Sequence, residues 1–451
     1  MGVPGGQTLR HQAKRARRAV AAIVVVGIAT LGLVAGGAGA QTGAAPGVSS
    51  DSIKIGYISS QTGPAAATHK NAHKSCQARV GAQNAQGGVN GRKLDVTYLD
   101  DKFSDNLTAA QNLVQNENVF AVIDNSAAAY LAYRYLKENT GGMLGGGFDG
   151  TYYYDKGNEN IISGLGNGSP VPGLTYDTVT KVMKQMGATK VAAGGYGVSP
   201  SSSAAAKATQ SYGAKAVGLK SGYLNTTLPF GGTDVGPVVL GIKNSGSDGL
   251  YLPLDSDTNF AIVQQLQQNN VTMKSNVLAT GYSQDLLDQP IVNTIQPNTV
   301  MFTTYRPVEL GGAAIKEFRA NLKKYAGLTG VPDYGTYTGY IMCDMMIRGL
   351  EAAGKNPTRQ GFYDAIRGLD GGKYKAAGLT CKPLTLAKAD FGKLDPTTCS
   401  WFVDVKNGKF QVLNGGKPYA GKLVGPASLL AQYSKTGGQT TTTAPATTAA
   451  P

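Results

Sequence analysis

The clearest pattern of apolar and polar positions lies between Ile53 and Asp101. The apolar stretch Ile53-Lys54-Ile55-Gly56-Tyr57-Ile58 runs into Gln61-Thr62-Gly63-Pro64; about one helix later Gly87-Gly88-Val89-Asn90-Gly91-Arg92 precedes the alternating segment Asp95 to Leu99, which ends in Asp100-Asp101. This order predicts strand, turn, helix, tight turn and second strand. The spacing of Leu107, Ala110, Leu113 and Val114 predicts a helix over 106–116, and the uninterrupted apolar run Val119 to Ile123 predicts a parallel strand buried on both faces. The alternation continues with helices expected over 175–186, 203–212, 235–244 and 259–269, and strands over 190–193, 216–219, 249–254 and 276–280. Strands that alternate with helices are the mark of βαβ units and parallel sheets, so the fold class is α/β.

Further along, residues 313–326 and 337–353 form strong amphipathic patterns, the second stopped by Gly354 with Pro357 beyond it, and a shorter helix is expected over 360–369. The segment from Lys373 to Cys399 reads as loop-rich. Residues 401–405 and 409–412, joined by Asn407-Gly408, predict a β-hairpin.

Composition changes this picture chiefly at the ends. The first eighteen residues hold Arg10, Lys14, Arg15, Arg17 and Arg18 with no acid, and the apolar run Ala19 to Val34 leads to Ala38-Gly39-Ala40, so residues 1–40 read as a secretory signal cleaved after Ala40. An exported, extracytoplasmic protein is expected, and with no cysteine near that site a lipid anchor is not supported. The tract from Thr440 to Pro451 contains only Thr, Ala and Pro, and residues 436–451 are expected to form a disordered tail. The formal net charge is +14, but five of its basic residues belong to the leader and the others are scattered, which argues against a nucleic-acid partner. The span between leader and tail exceeds what one hydrophobic core serves, so two lobes are expected.

Four cysteines in an exported chain imply two disulfides. Three pairings are open. Cys381 with Cys399 is favoured because both lie in one loop-rich segment, leaving Cys76 with Cys343. None has C-x-x-C spacing, which argues against redox or zinc chemistry.

Residues suited to catalysis are sparse. His69 and His73 lie four apart and share a helix face, but a metal site needs a third ligand and none is adjacent. Gly145-Gly146-Gly147 lacks the following helix and Lys-Ser/Thr of a P-loop, and no Gly-x-Ser-x-Gly or His-Glu-x-x-His occurs. Asp100 and Asp101, adjacent on a strand, point to opposite faces and read as a polar strand end. Tyrosine stands out, with 23 against one tryptophan; Tyr196, Tyr282 and Tyr305 fall at expected strand ends, and Tyr334 and Tyr337 precede a helix. In open α/β sheets those ends face the ligand crevice. No enzyme, cofactor or metal is therefore expected.

Ile53-Lys54-Ile55-Gly56, Thr62-Gly63-Pro64-Ala65, Gly87-Gly88-Val89-Asn90-Gly91-Arg92, Asp100-Asp101 and Val119-Phe120-Ala121-Val122-Ile123, in that order, resemble the branched-chain amino acid and amide group (Leu/Ile/Val-binding protein-like) of ABC-transporter solute-binding proteins. The resemblance covers roughly residues 51–413. It implies the type I periplasmic-binding-protein fold: two Rossmann-like lobes with parallel central sheets, joined by a three-stranded hinge. The crossings would fall near 166–170, 302–306 and 399–401, giving lobe one as 51–167 plus 307–399 and lobe two as 168–306 plus 400–433. Cys76 and Cys343 would then both lie on helices of lobe one, which permits their pairing.

By position, the resemblance implies ligand contacts from Thr68 and His69, Asn125 and Ser126, and Phe148 and Asp149 in lobe one, and from Tyr196, Ser199, Asp255 and Tyr282 in lobe two. Where amino-acid binders carry an acid for the ligand's ammonium, this chain has Tyr282. The expected function is capture of a small polar ligand, such as a branched-chain amino acid, an amide or a related organic acid, by a monomer that delivers it to a membrane permease. A ligand-sensing receptor domain of the same fold is the alternative.

Overall fold

Strand β1 (Ser52–Ser59) is buried at nearly every position, as a central parallel strand must be. Beside it lie β2 (Lys93–Asp100), β3 (Ala121–Asp124), β4 (Met143–Gly145) and β5 (Ile161–Ser163), all parallel, in the order β2-β1-β3-β4-β5. In this computed structural model the described residues are 45–146, 151–164, 173–232, 234–295, 298–391 and 397–436, so the expected leader lies outside them and the expected tail lies beyond them apart from Thr436.

A second sheet repeats the scheme. It contains β6 (Thr175–Tyr176), β7 (Lys190–Tyr196), β8 (Lys220–Leu228), β9 (Gly249–Leu252), β10 (Ser275–Leu278) and β11 (Thr299–Thr303), and β8-β7-β9-β10-β11 has the same strand order as the first sheet. After the small antiparallel pair β12 (Lys373–Tyr374) and β13 (Leu384–Thr385), the long strand β14 (Thr397–Lys406) joins β11 antiparallel, followed by β15 (Lys409–Val412) and β16 (Tyr419–Val424). The β14–β15 hairpin turns at Asn407 (φ 51°) and Gly408 (φ 69°), the two positive-φ positions that an Asn-Gly turn supplies.

Two expected elements differ. Thr175 and Tyr176 form an edge strand paired with β16, and the helix starts only at Thr178, because Asp177 grips Lys422 through both its backbone N–H (3.0 Å) and its carboxylate (2.8 Å). Residues 216–219 are not a strand: Ala214–Ala216 is helical, Gly218 turns the chain at φ 75°, and β8 begins at Lys220. β8 is a half-exposed edge strand of Ser, Asn, Thr and Tyr, so it lacks the apolar run that marks the buried strands.

The two long helices expected late in the chain return to the first sheet. Ala313–Ala326 buries Ile315, Phe318 and Leu322, and Tyr334–Ala353 is buried almost all round. Both pack against the helix Ala72–Ala85. The helix Tyr334–Ala353 begins three residues earlier than its pattern predicts because Asp333 caps it, accepting from the Thr336 N–H at 2.6 Å. Gly335 and Gly339 let it lie flush: a Cβ at Gly335 would sit 2.6 Å from the Thr68 carbonyl oxygen, and one at Gly339 would collide with that of Ala72. One turn on, Cys343 is bonded to Cys76 (Cα–Cα 5.4 Å), and Asp344 accepts from Arg79 at 2.9 Å. Cys381 and Cys399 form the other disulfide (Cα–Cα 5.8 Å).

The Cys76–Cys343 bond closes a loop of 267 residues. Replacing both cysteines with serine is expected to cost about 2–5 kcal/mol of unfolding free energy. Chemical denaturation of variant and wild type checks this, and an unchanged midpoint would mean that helix packing alone holds the pair.

Candidate functional site

The carboxyl ends of the two sheets face one cavity of about 720 Å³. From the first sheet its wall takes Thr68 and His69 after β1, Phe103 after β2, Ala127 and Tyr130 after β3, and Tyr334 at the start of the long helix. From the second it takes Tyr196, Leu254, Asp255, Tyr282 and Tyr305, each at or just past a strand end. These are the crevice positions of an open α/β sheet, supplied twice.

His69 is buried, with Nδ1 3.0 Å from the Thr68 hydroxyl and 3.3 Å from the Ala65 carbonyl, and its ring meets Tyr334 edge-on with centroids 5.7 Å apart. Burial pushes its pKa down to about 4, so the ring is neutral at pH 7. His73 is turned toward Tyr98, and among the described residues no group of three or more His, Cys, Asp or Glu is placed to hold a metal.

Ser199 and Asp255 line the cavity as helix caps. Ser199 accepts from Ser202 N–H (3.2 Å) and opens the helix Pro200–Ala208. Asp255 opens Ser256–Gln268, accepting from the N–H (3.0 Å) and hydroxyl (2.9 Å) of Thr258 and from the Tyr196 hydroxyl. Asp333, also on the wall, accepts from the N–H and hydroxyl of Thr336 and from Asn71 at 3.2 Å. Each of these two buried carboxylates thus already accepts three donors.

Tyr282 is likewise committed. Its hydroxyl donates to Glu309 at 2.6 Å and accepts from Val308 N–H at 2.9 Å. Tyr305 stacks on Tyr337 (centroids 5.1 Å, 8° between planes), and its buried hydroxyl faces that of Tyr334. The Tyr334 hydroxyl itself donates to the Gly146 carbonyl at 3.0 Å.

Asn125 and Ser126 stand off the cavity wall. Both are fully buried, Asn125 donating to Tyr57 (2.9 Å) and Thr338 (3.0 Å), and Ser126 donating to Asp101. Phe148 and Asp149 lie outside the described residues.

The residues that sequence reasoning missed are those that bridge the cleft. Phe103 packs on Phe230 (centroids 5.0 Å), which meets Tyr196 edge-on at 5.0 Å, and Lys70 pairs with Asp285 at 2.7 Å. Phe103 and its neighbour Lys102 have φ of 75° and 49°, strained for non-glycine residues. Asp100 and Asp101 hold that turn: Asp100 accepts from Lys102 N–H (3.0 Å) and Thr62 hydroxyl (2.6 Å), and Asp101 from Phe103 N–H (3.1 Å). The adjacent aspartates do point apart, as their strand position implies, and each half of that divergence has a use.

The family model described as "Periplasmic binding protein" matches residues 52–409. The chain belongs to that family. It is a solute-binding protein of ABC-transporter type, and the family binds small molecules outside the cytoplasm and works with ABC permeases. No curated protein sequence matches it. Solved structures with a similar fold include the branched-chain amino acid transporter substrate-binding protein LivJ of Streptococcus pneumoniae in complex with isoleucine (18% identity, 83% of this chain and 100% of that one, TM-score 0.65). Two others are a fatty acid ABC transporter substrate-binding protein of Thermomonospora curvata (19%, 84% and 94%, 0.67) and a solute-binding protein of R. palustris in complex with benzoate (14%, 82% and 97%, 0.63).

Two predictions follow from this geometry. Because His69 is neutral in the fold down to about pH 4 while an unfolded histidine binds a proton below about 6.5, the unfolded state holds the extra proton between those values and stability falls with pH there, by on the order of 3 kcal/mol from this group. His73 is shifted the same way and buried Asp124 the opposite way, so the quantity to measure is the difference between wild type and His69→Gln. That difference should change across pH 6.5 to 4, and a pH-independent difference would place the proton elsewhere. Phe103→Ala, which removes an aromatic pair worth about 0.5–1.5 kcal/mol, should speed ligand release by roughly 2- to 13-fold in stopped-flow while leaving the unliganded melting temperature nearly unchanged.

Proposed function

We propose that this periplasmic binding protein is the exported capture component of an ABC importer, which encloses one small polar ligand and presents it to its permease as a monomer. What carries the reading is the cavity at the carboxyl ends of both sheets, bridged across its mouth by Phe103 and Phe230. Hydrogen bonding and burial suffice for capture, and no covalent step is involved. The lobes are 51–167 plus 307–399 and 168–306 plus 400–433, with a cleavable leader of residues 1–40. That division is supported by the way β11 leads to the helix Ala313–Ala326 and β14 leads back into the second sheet.

Of the ligands expected, organic acids fit better than free amino acids. An α-ammonium wants an open carboxylate, whereas Asp255 and Asp333 each already accept three donors and Tyr282 is bonded to Glu309.

A thermal-shift screen of amino acids, amides and small organic acids tests the proposal. A true ligand at a hundredfold excess over its Kd should stabilise the fold by about 2.7 kcal/mol and raise Tm saturably. A melting temperature unmoved across the whole screen would refute capture.

A further inference from the structure

The two walls of the cleft also meet outside the cavity. Ser283 lies on one wall and caps the short helix Gln284–Leu287, which follows β10 of the second sheet. Asp333 lies on the other and ends the loop between the helices Ala313–Ala326 and Tyr334–Ala353, which return to the first sheet. One and two residues beyond these wall positions the segments are joined. Gln284 N–H donates to the Val331 carbonyl at 2.9 Å, and Val331 N–H donates to Gln284 Oε1 at 3.1 Å. Asp288 accepts from Gln284 Nε2 at 2.9 Å, which fixes the end of the amide that faces Val331. Gly330 makes the room for it: its φ is 87°, and a Cβ there would stand 2.6 Å from Oε1. Beside this pair Lys70 bonds Asp285 at 2.7 Å.

Gln284, Asp285, Gly330 and Val331 line a second cavity, of about 470 Å³, instead of the cleft wall. A ligand in the cleft therefore leaves these bonds to the protein alone. The Val331–Gln284 bond is only partly buried, and Lys70 and Asp285 are each more than 40% exposed. When the lobes part, such groups exchange their partners for water, so the contact can open at small cost and reform.

We infer that Gln284 and the loop 330–331 form a latch across the rim of the cleft, which keeps part of the population shut before any cargo arrives. This rests on the solute-capture reading and adds to it a residue that sets affinity without touching the ligand. A ligand that binds the shut state gains apparent affinity in proportion to the fraction already shut.

The test is pulsed electron paramagnetic resonance on the unliganded full-length protein, with nitroxides at Ser104→Cys and Lys207→Cys, exposed positions on the two sides of the cleft. The four native cysteines are paired in disulfides and take no label. The distance distribution should hold a shorter and a longer population. Gln284→Ala, which removes one hydrogen bond across the rim, should lower the ratio of shorter to longer by roughly 2- to 13-fold, with the melting temperature nearly unchanged. Gln284→Asn, which withdraws the amide by one methylene, should act in the same direction and decides the matter if the alanine variant fails to fold. A ratio that neither variant moves overturns the latch, and a lowered melting temperature with an unmoved ratio overturns it too, by showing that Gln284 serves only the fold. The measurement needs no cargo, so its failure leaves solute capture standing, whereas capture falls on a silent ligand screen whatever the ratio does.

Discussion

The close contact between the helices Ala72–Ala85 and Tyr334–Ala353 is the constraint on which the first half of the site depends. Gly335, Gly339 and Cys343 recur every four residues and so share one helix face. The two glycines remove the side chains that would hold the backbones apart, and the disulfide then fixes the register. That register carries Asp333 to the end of the helix as its cap and places Tyr334 against both His69 and Gly146. Segments more than 260 residues apart in sequence thereby build one wall.

Charge is handled in the same spirit throughout the cleft. Asp255 and Asp333 face the cavity yet are engaged from behind, each accepting one N–H at a helix N-terminus and two side-chain donors, and burial raises the Asp333 pKa. Behind the wall, Asn106 donates to both Asp101 (3.0 Å) and Asp124 (3.1 Å), and burial together with the Asp101 charge raises the Asp124 pKa well above the usual carboxylate range. The result is a wall that shows a ligand aromatic faces and hydroxyls while its acids are occupied. Such a surface recognises shape and apolar area first and accepts hydrogen bonds second.

Much of this fold was legible in the sequence because the buried parallel strands and amphipathic helices carry strong periodic signals. β1, β3, β7, β9 and β10 all fall where apolar runs end in polar or glycine residues, and the helix 313–326 begins and ends at its expected residues. The failures share a cause: β6 and β8 are edge strands whose identity is decided by a partner distant in sequence, which no local pattern encodes. The site was legible by position and less so by role. Thr68, His69, Tyr196, Ser199, Asp255 and Tyr282 do reach the cavity, but whether a cap or a hydroxyl is already satisfied depends on tertiary neighbours such as Glu309. The one local signal for Phe103 was the pair Asp100-Asp101, whose diverging carboxylates set the turn that presents it.

The cleft-bridging contacts also bear on what holds the lobes together. The Phe103–Phe230 pair contributes about 0.5–1.5 kcal/mol, and the half-exposed Lys70–Asp285 pair about 0–1 kcal/mol. Together they are comparable to a few thermal units, enough to orient closure and too little to enforce it. Ligand area buried against both walls can exceed that sum several times over, at roughly 25 cal/mol per Å² of apolar surface. In the proposed capture, closure is therefore set by how much of the cavity the ligand fills. A ligand that occupies only the first-sheet wall gains little from the second and shifts the equilibrium little, whereas one that reaches both couples its affinity directly to the closed state.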